Sequence, residues 1–292
     1  DDRSLMEIVY DGQKKYNFRS NIDYAIKDWI KAEINAAYDS RIVSTPTQGL
    51  GQGVQDPYLF PLYNSYGQFY DTFGGNNYLA KLVDGGVSKD KINTFRGGAK
   101  FTFDLSMLTK GLGFNASANI RTANRLYTQR QTNVKMYDWS GETTNSTGLP
   151  DYTLGTGSIR TQTATNPNNL FVRNTLSENF YKVFNAFTTY NRNFSGHNIG
   201  LNAGVTYEKY RSQDFVLFRS NMLIDDLDDI NLGLVTTQTN SGGSGENALI
   251  SYLGRFNYDY KGILLLETDF RRDGSSKFVG ENRWANFMGF LG

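Results

Sequence analysis

The chain has 292 residues, with 30 Lys and Arg against 29 Asp and Glu, for a formal net charge of +1. It has no Cys and one His, His197, which excludes disulfides and thiolate metal sites and leaves little room for histidine-based catalysis or zinc. A balanced charge points away from nucleic acid as a partner, and no run of about 18 apolar residues is present to form a transmembrane helix.

A membrane barrel stays open, because a barrel strand needs an apolar residue only at every second position. Aromatics are 14% of the chain, and 30 Gly accompany 5 Pro, a composition that suits strands and loops better than long helices. Residues 1–15 are polar and end in the turn signal Asp11-Gly12, so a strand stub over Leu5–Tyr10 is expected to lead into a first hairpin. From Tyr16 to Ile26 the side chains alternate. Phe18, Ile22, Tyr24 and Ile26 share one face, and Asn17, Arg19, Asn21 and Asp23 the other. Lys27-Asp28-Trp29 turns the chain. Ile30, Ala32, Ile34, Ala36 and Tyr38 then oppose Lys31, Glu33, Asn35, Asp39 and Arg41. Good helix formers over 25–38 argue for a helix; the sustained period of two argues for a strand, which is preferred.

Residues 43–90 read as a long irregular segment, and such length in a compact fold points to function. It carries Tyr58, Phe60, Tyr63, Tyr66, Phe69, Tyr70, Phe73 and Tyr78 among Gly, Asn and Pro. A second hairpin spans 91–124, with Phe95, Ala99, Phe101 and Phe103 on one face and a turn near Ser106–Lys110. Its return strand alternates Leu112, Phe114, Ala116, Ala118 and Ile120 with Asn115, Ser117, Asn119 and Arg121. A second long segment covers roughly 125–175. The third hairpin, about 176–211, turns at Asn191–Gly196; Lys182 breaks the apolar face of its first strand. A third long segment, about 212–249, holds the acidic run Asp225–Asp229 and the glycine-serine tract Ser241–Gly245. A last hairpin turns at Asp259–Gly262. It sets Tyr252, Gly254, Phe256, Tyr258 and Tyr260 against Arg255, Asn257 and Asp259, and is followed by a further strand ending near Gly292.

Short turns near 27–29, 106–110, 191–196 and 259–262 thus alternate with long connections near 43–90, 125–175 and 212–249. Outer-membrane barrels sort their loops this way. The expected strands, about 11–14 residues, cover the span a tilted membrane strand needs. Tyr16, Trp29, Tyr38, Tyr190, Tyr207, Tyr260 and Trp284 sit where interfacial girdles would lie.

The stretch from Ser251 to Leu291 carries a family resemblance. Tyr252, Gly254, Arg255, Asn257, Tyr258, Tyr260 and Lys261, then Arg271 to Phe278, then Asn282, Arg283 and Trp284, resemble the mid-barrel segment of SusC-like (RagA-like) TonB-dependent outer-membrane transporters of the Bacteroidetes. Pro61, Tyr63 and Gly67 resemble an extracellular-loop piece of the same family. The resemblance implies an all-β fold: a partial antiparallel transmembrane β-barrel of about nine or ten strands, open at its edges, with long extracellular loops. Residues 1–292 would form part of the barrel domain, without plug or TonB box, in the cell outer membrane. The implied function is non-catalytic, energised import of oligosaccharides or oligopeptides. A SusD-like lipoprotein would cover the mouth, and TonB with ExbB and ExbD would supply force. No cofactor is implied. A siderophore or cobalamin receptor, a non-transporting adhesin barrel and a soluble all-β carbohydrate-binding module stay as alternatives. With no signal peptide before Asp1 and an apparent strand at Gly292, the chain reads as a fragment, expected not to close into a stable barrel alone.

Four groups could carry chemistry or binding. Tyr58, Phe60, Tyr63, Tyr66, Phe69 and Tyr70 suit stacking on sugar rings or grasping a peptide, or else pack the long loop against itself. The set Arg19, Lys31, Glu33, Arg96, Lys100, Arg121, Glu208, Arg255, Glu267 and Asp269 reads as a hydrated lumenal wall. Asp225–Asp229 could hold calcium, although Leu227 interrupts an EF-hand pattern and a solvated loop is preferred. Arg271-Arg272-Asp273-Gly274 could hold an anion, or form an Asp-Gly turn. His197, after Gly196, is expected to be an ordinary turn residue.

Overall fold

The computed structural model describes residues 11–48, 62–63, 68–69, 77–137, 159–161, 170–224 and 227–291. The strand expected over Leu5–Tyr10 lies outside them. The described chain runs β1 (Gly12–Lys27), β2 (Ile30–Pro46), α1 (Tyr78–Asp84), β3 (Val87–Asp104), β4 (Leu112–Gln131), β5 (Lys135–Tyr137), β6 (Ile159–Thr161), β7 (Phe171–Phe194), β8 (His197–Ser220), β9 (Thr239–Tyr260), β10 (Leu264–Ser275) and β11 (Trp284–Leu291). Nine strands form one sheet in the order β1-β2-β3-β4-β7-β8-β9-β10-β11, and β5 pairs only with β6. Every pairing is antiparallel. Among the described residues β1 and β11 are the sheet's two edges, and no helix is long and apolar enough to cross a membrane.

The hairpin ends are built by residues that tolerate a left-handed backbone. Phe194 pairs with His197, so Ser195 and Gly196 alone make the β7–β8 turn, with φ of 48° and 85°. Positive φ at both central residues matches the right-handed twist of the flanking strands. Lys261 and Gly262, with φ of 52° and 70°, serve β9–β10, and the Asp259 carboxylate accepts the Gly262 N–H at 2.7 Å.

Register, not local sequence, carries the two-faced pattern across the sheet. Tyr24 pairs with Ala32, Ala32 with Phe101, Phe101 with Ala116, Ala116 with Ala186, Ala186 with Val205, Val205 with Tyr252 and Tyr252 with Arg272. Paired residues in a sheet point to the same face. The apolar rows of all nine strands therefore lie on one side. They are left open: Phe18 is 66% exposed, Ile34 47%, Leu201 45% and Phe290 74%. A soluble protein rarely leaves so continuous an apolar surface bare. The small buried cluster of Ala80, Val134 and Met136 lies instead among the long connections. Among the described residues no second sheet or helix layer packs on the Ile, Leu and Phe rows, which is what a lipid-facing wall requires.

The strands outrun the expectation. β7 and β8 have 24 residues each and β9 has 22. At about 3.3 Å per residue and a tilt near 45°, 24 residues rise roughly 55 Å, against a hydrocarbon thickness of about 30 Å. The hairpins thus project well past a bilayer. Accordingly the long connections shrink to 47–86, 132–170 and 221–238. The glycine-serine tract, expected in a loop, is strand: Ser241 to Gly245 pair with Val216 to Ser212. Arg271 to Gly274, weighed as a turn, is also strand, paired with Phe287 to Trp284. There the Trp284 ring lies over Gly274, where a Cβ would meet it at 2.7 Å. An aromatic that covers a strand glycine this way restores the lost side-chain packing.

A charge on the uncovered face tests its surroundings. In the full-length protein folded into lipid vesicles, Ile34→Arg is expected to cost about 2–4 kcal/mol, as for arginine at a bilayer midplane, while the neighbouring Asn35→Arg on the opposite face costs about 1 or less. Urea titrations of folding in vesicles read the difference; equal costs would refute the lipid-facing assignment.

Candidate lumenal wall and extracellular rim

The opposite face is polar, and the register assembles it. All ten residues read as lumenal, from Arg19 through Asp269, fall on this face. Its charges pair across neighbouring strands. Lys100 donates to Glu33 at 3.1 Å, Arg96 to Asp39, Arg125 to both oxygens of Asp90 at 2.7 and 3.1 Å, and Arg255 to both oxygens of Asp269 at 2.7 and 3.2 Å. Arg271, weighed as an anion site, instead donates to Asp273 at 2.8 Å. Such exposed pairs contribute little stability, about 0–1 kcal/mol each. What they do is keep a densely charged wall close to neutral.

One row departs from that balance. Arg19 pairs with Ala37, Ala37 with Arg96, Arg96 with Arg121, Arg121 with Tyr181 and Tyr181 with Tyr210. Three guanidinium groups and two phenols thus line one level of the wall. Asp39 takes up Arg96; among the described residues no carboxylate bonds Arg19 or Arg121. The Tyr181 hydroxyl donates to Glu208 at 2.8 Å and the Tyr210 hydroxyl to Asn179 at 2.6 Å, which fixes both rings. A concavity of about 220 Å³ opens between Arg121, Ala123, Asn179, Tyr181 and Tyr210. The arginines were legible from strand alternation. Tyr181 and Tyr210 were not, because each sits one position from an apolar row that also contains aromatics.

A second concavity, about 770 Å³, lies on the same face near the short turns, lined by Asn191, Asn193, Asn198, Asn257, Asp259 and Glu267 among others. Asn198 donates to Asp259 at 2.9 Å, and Ile199, Leu265 and Leu291 also line this hollow, so it mixes amides with apolar side chains.

Only two of the six loop aromatics singled out fall among the described residues. Tyr63 and Phe69 form an isolated antiparallel bridge and stack with ring centroids 5.2 Å apart. Phe69 packs on the Ala80, Val134 and Met136 cluster, while Tyr63 is 44% exposed. Tyr58, Phe60, Tyr66 and Tyr70 lie outside the described residues. The Asn77 side chain anchors this rim: it accepts the Ala80 N–H at 3.0 Å as the cap of α1 and donates to the Leu62 carbonyl at 2.8 Å.

The acidic run resolves in part. Asp228 accepts from Lys89 at 3.0 Å and from Arg130 at 2.8 Å, and Asp229 caps a short 3-10 turn through the Asn231 N–H. Asp225 and Asp226 lie outside the described residues. Among the described residues no group of three potential metal ligands comes together. His197 opens β8, shares a hydrogen bond with the Tyr258 hydroxyl at 2.8 Å and packs on Tyr260 at 4.6 Å. With Phe194, 5.6 Å away, and Tyr258 it forms an aromatic cluster at the short-turn end, so it is a packed strand residue and not a turn residue.

In the full-length protein Phe69→Ala is expected to remove about 2 kcal/mol of local stability from the rim cluster, read as faster proteolysis within 43–90. Tyr63→Ala, at an exposed ring, should change that rate by roughly twofold or less. Equal acceleration by both would show that Tyr63 is a packing residue too.

No protein-family model matches the chain. A curated relative, TonB-dependent receptor P3 of Formosa agariphila, is 35% identical over 116 residues, which is 39% of this chain and 11% of that protein. Among solved structures, the RagAB peptide transporter matches with a TM-score of 0.67 at 18% identity, covering 95% of this chain and 30% of that one. The RagAB peptide importer matches at 0.66 in its closed-closed state and 0.61 in its open-open state. The chain spans less than a third of the solved chains it matches. The structural likeness carries the fold, a partial antiparallel barrel wall, and the sequence likeness to a TonB-dependent receptor extends over 116 residues.

Proposed function

Taking the chain as a segment of a SusC/RagA-like transporter barrel, we propose that it forms part of the wall of an outer-membrane importer driven through TonB. Residues 1–292 belong to the barrel domain of the longer protein. The wall takes no part in covalent chemistry. The observation that carries the reading is the single nine-stranded sheet with one bare apolar face and one hydrated, charge-paired face. A soluble carbohydrate-binding module would have to bury the first of these.

The cargo we propose is an oligopeptide or an oligosaccharide. The row of Arg19, Arg121, Tyr181 and Tyr210 supports such a molecule: guanidinium groups bind carboxylates in bidentate fashion, and phenol faces accept either sugar rings or peptide planes. The RagAB relatives are named for peptide transport, which favours the peptide within this pair. A SusD-like lipoprotein is the proposed partner at the mouth, and TonB with ExbB and ExbD the proposed source of force. The exposed Tyr63 ring, with Tyr58, Phe60, Tyr66 and Tyr70, is proposed to meet the cargo at entry.

Uptake by cells carrying the full-length protein tests this. Labelled oligopeptide or oligosaccharide should accumulate, and collapse of the proton gradient should abolish accumulation. Arg19→Gln with Arg121→Gln should lower uptake of the true cargo about tenfold while the protein stays folded and surface-exposed. Accumulation of neither class, or uptake indifferent to the proton gradient, would overturn the proposal.

A further inference from the structure

The charges on the two faces of the sheet are sorted differently. On the lumenal face acids and bases alternate and pair. On the apolar face the strand acids are Glu178 and Glu246, set against more bases. Lys89 and Arg130 are taken up by Asp228, Arg192 and Arg219 lie near strand ends, and Lys14, Lys91, Lys182, Lys209, Arg211 and Arg272 remain. Several of these cations stand next to an outward-facing aromatic. Lys14 is the first outward position beyond Tyr16, Lys209 the first beyond Tyr207 and Arg272 the first beyond Phe270, while Lys182 sits between Phe184 and Phe180. For Lys14, Lys209 and Arg272 the aromatic lies on the side of the short turn, and Lys182 has one on each side. For the first three the order from short turn to long connection is therefore apolar band, aromatic rim, then cation.

The densest point lies on β7, β8 and β9. Lys182 pairs directly with Lys209, and Arg211 with Glu246. Like charges set opposite one another in a sheet destabilise it, so the Lys182–Lys209 pair is a cost that local folding does not explain. Lys209 bonds to Glu246, and the same carboxylate also feels the charges of Arg211 and Lys182. One carboxylate thus serves three cations, and a net positive patch is left. Among the described residues no other carboxylate bonds Lys182 or Arg211. The Lys182 ammonium lies over the Phe184 ring, 5.8 Å from its centroid. A cation over the face of an aromatic ring is attracted to it, and long basic side chains on an apolar surface suit a membrane interface.

We propose that Lys182, Lys209 and Arg211 form a binding site for the phosphate groups of an outer-leaflet lipid whose acyl chains lie on the adjoining apolar band. The long connections mark this end of the strands as the cell exterior, so the lipid is the phosphorylated one of the outer leaflet. The partner follows from charge complementarity and from continuity with the apolar face: an anion held by three cations above, and hydrocarbon below. The inference rests on the membrane-barrel reading, and the experiment separates the two.

The test uses the full-length protein, purified in a zwitterionic detergent and titrated with lipid A carrying two phosphates, followed by native mass spectrometry. Lipid A freed of its phosphates and inorganic phosphate alone serve as the other arms. Wild type is expected to retain the phosphorylated lipid, with apparent affinity falling about tenfold or more in K182Q/K209Q/R211Q. The dephosphorylated lipid should bind both proteins equally weakly, and inorganic phosphate should bind without residence. Heat-modifiable migration on a gel reports the closed barrel independently. If the triple variant folds poorly, R211Q alone, at an exposed position, and the charge-keeping K182R/K209R stand in; the first should weaken binding and the second preserve it. Unchanged affinity in a folded R211Q or triple variant overturns the site while leaving the barrel intact. Equal binding of the dephosphorylated lipid, or retention of inorganic phosphate at the same affinity as the lipid, overturns it too. Absence of a heat-modifiable form even in wild type would overturn the barrel reading beneath it.

Discussion

The backbone hydrogen bond governs this structure. In hydrocarbon an unpaired peptide group costs several kcal/mol, so a wall that crosses a membrane with strands must pair every one of them with a neighbour. The sheet does so without interruption from β2 to β10. The pairing extends far beyond a bilayer's thickness, where water could have satisfied the same groups. Once two strands are zipped, each further residue adds a ladder bond with little additional loss of freedom. The hairpins therefore continue until a connection must leave them.

Period-two alternation then does the rest. Because paired residues share a face, one register assigns every side chain of the nine strands to the side of the apolar rows or to the polar side. The energetics of the two faces differ in kind. The apolar rows gain from contact with hydrocarbon alone and need no specific partners. The lumenal rows stay hydrated, and their ion pairs such as Arg125–Asp90 and Arg255–Asp269 set the local field more than the stability. The level with Arg19 and Arg121 stands out because that compensation lapses there. The outward patch of Lys182, Lys209 and Arg211 stands out for the same reason, on the other side of the wall.

At the rim the rule changes again. Beyond the sheet the chain must build a small core of its own, from Ala80, Val134, Met136 and Phe69. Phe69, read as either a ligand aromatic or loop packing, packs on this cluster; its stacked neighbour Tyr63 keeps an open ring. The two residues differ in their surroundings though they are alike in sequence context, since only the fold decides which of them faces the cluster.

The amino-acid sequence by itself determined the two-faced strands, the alternation of short and long connections and the lumenal charges, because a wall with lipid on one side and water on the other writes a period of two into every spanning segment. It did not determine where the strands stop. Above the bilayer both faces are wet, so the alternation vanishes, and Ser241–Gly245 or Arg271–Gly274 look like loop or turn. Their extended form is imposed by the neighbouring strand edge, β8 for the first and β11 for the second. Nor did it determine which charges meet: the Arg and Tyr row and the Lys182–Lys209 opposition exist only through register, which joins residues far apart in the chain and is a property of the assembled sheet.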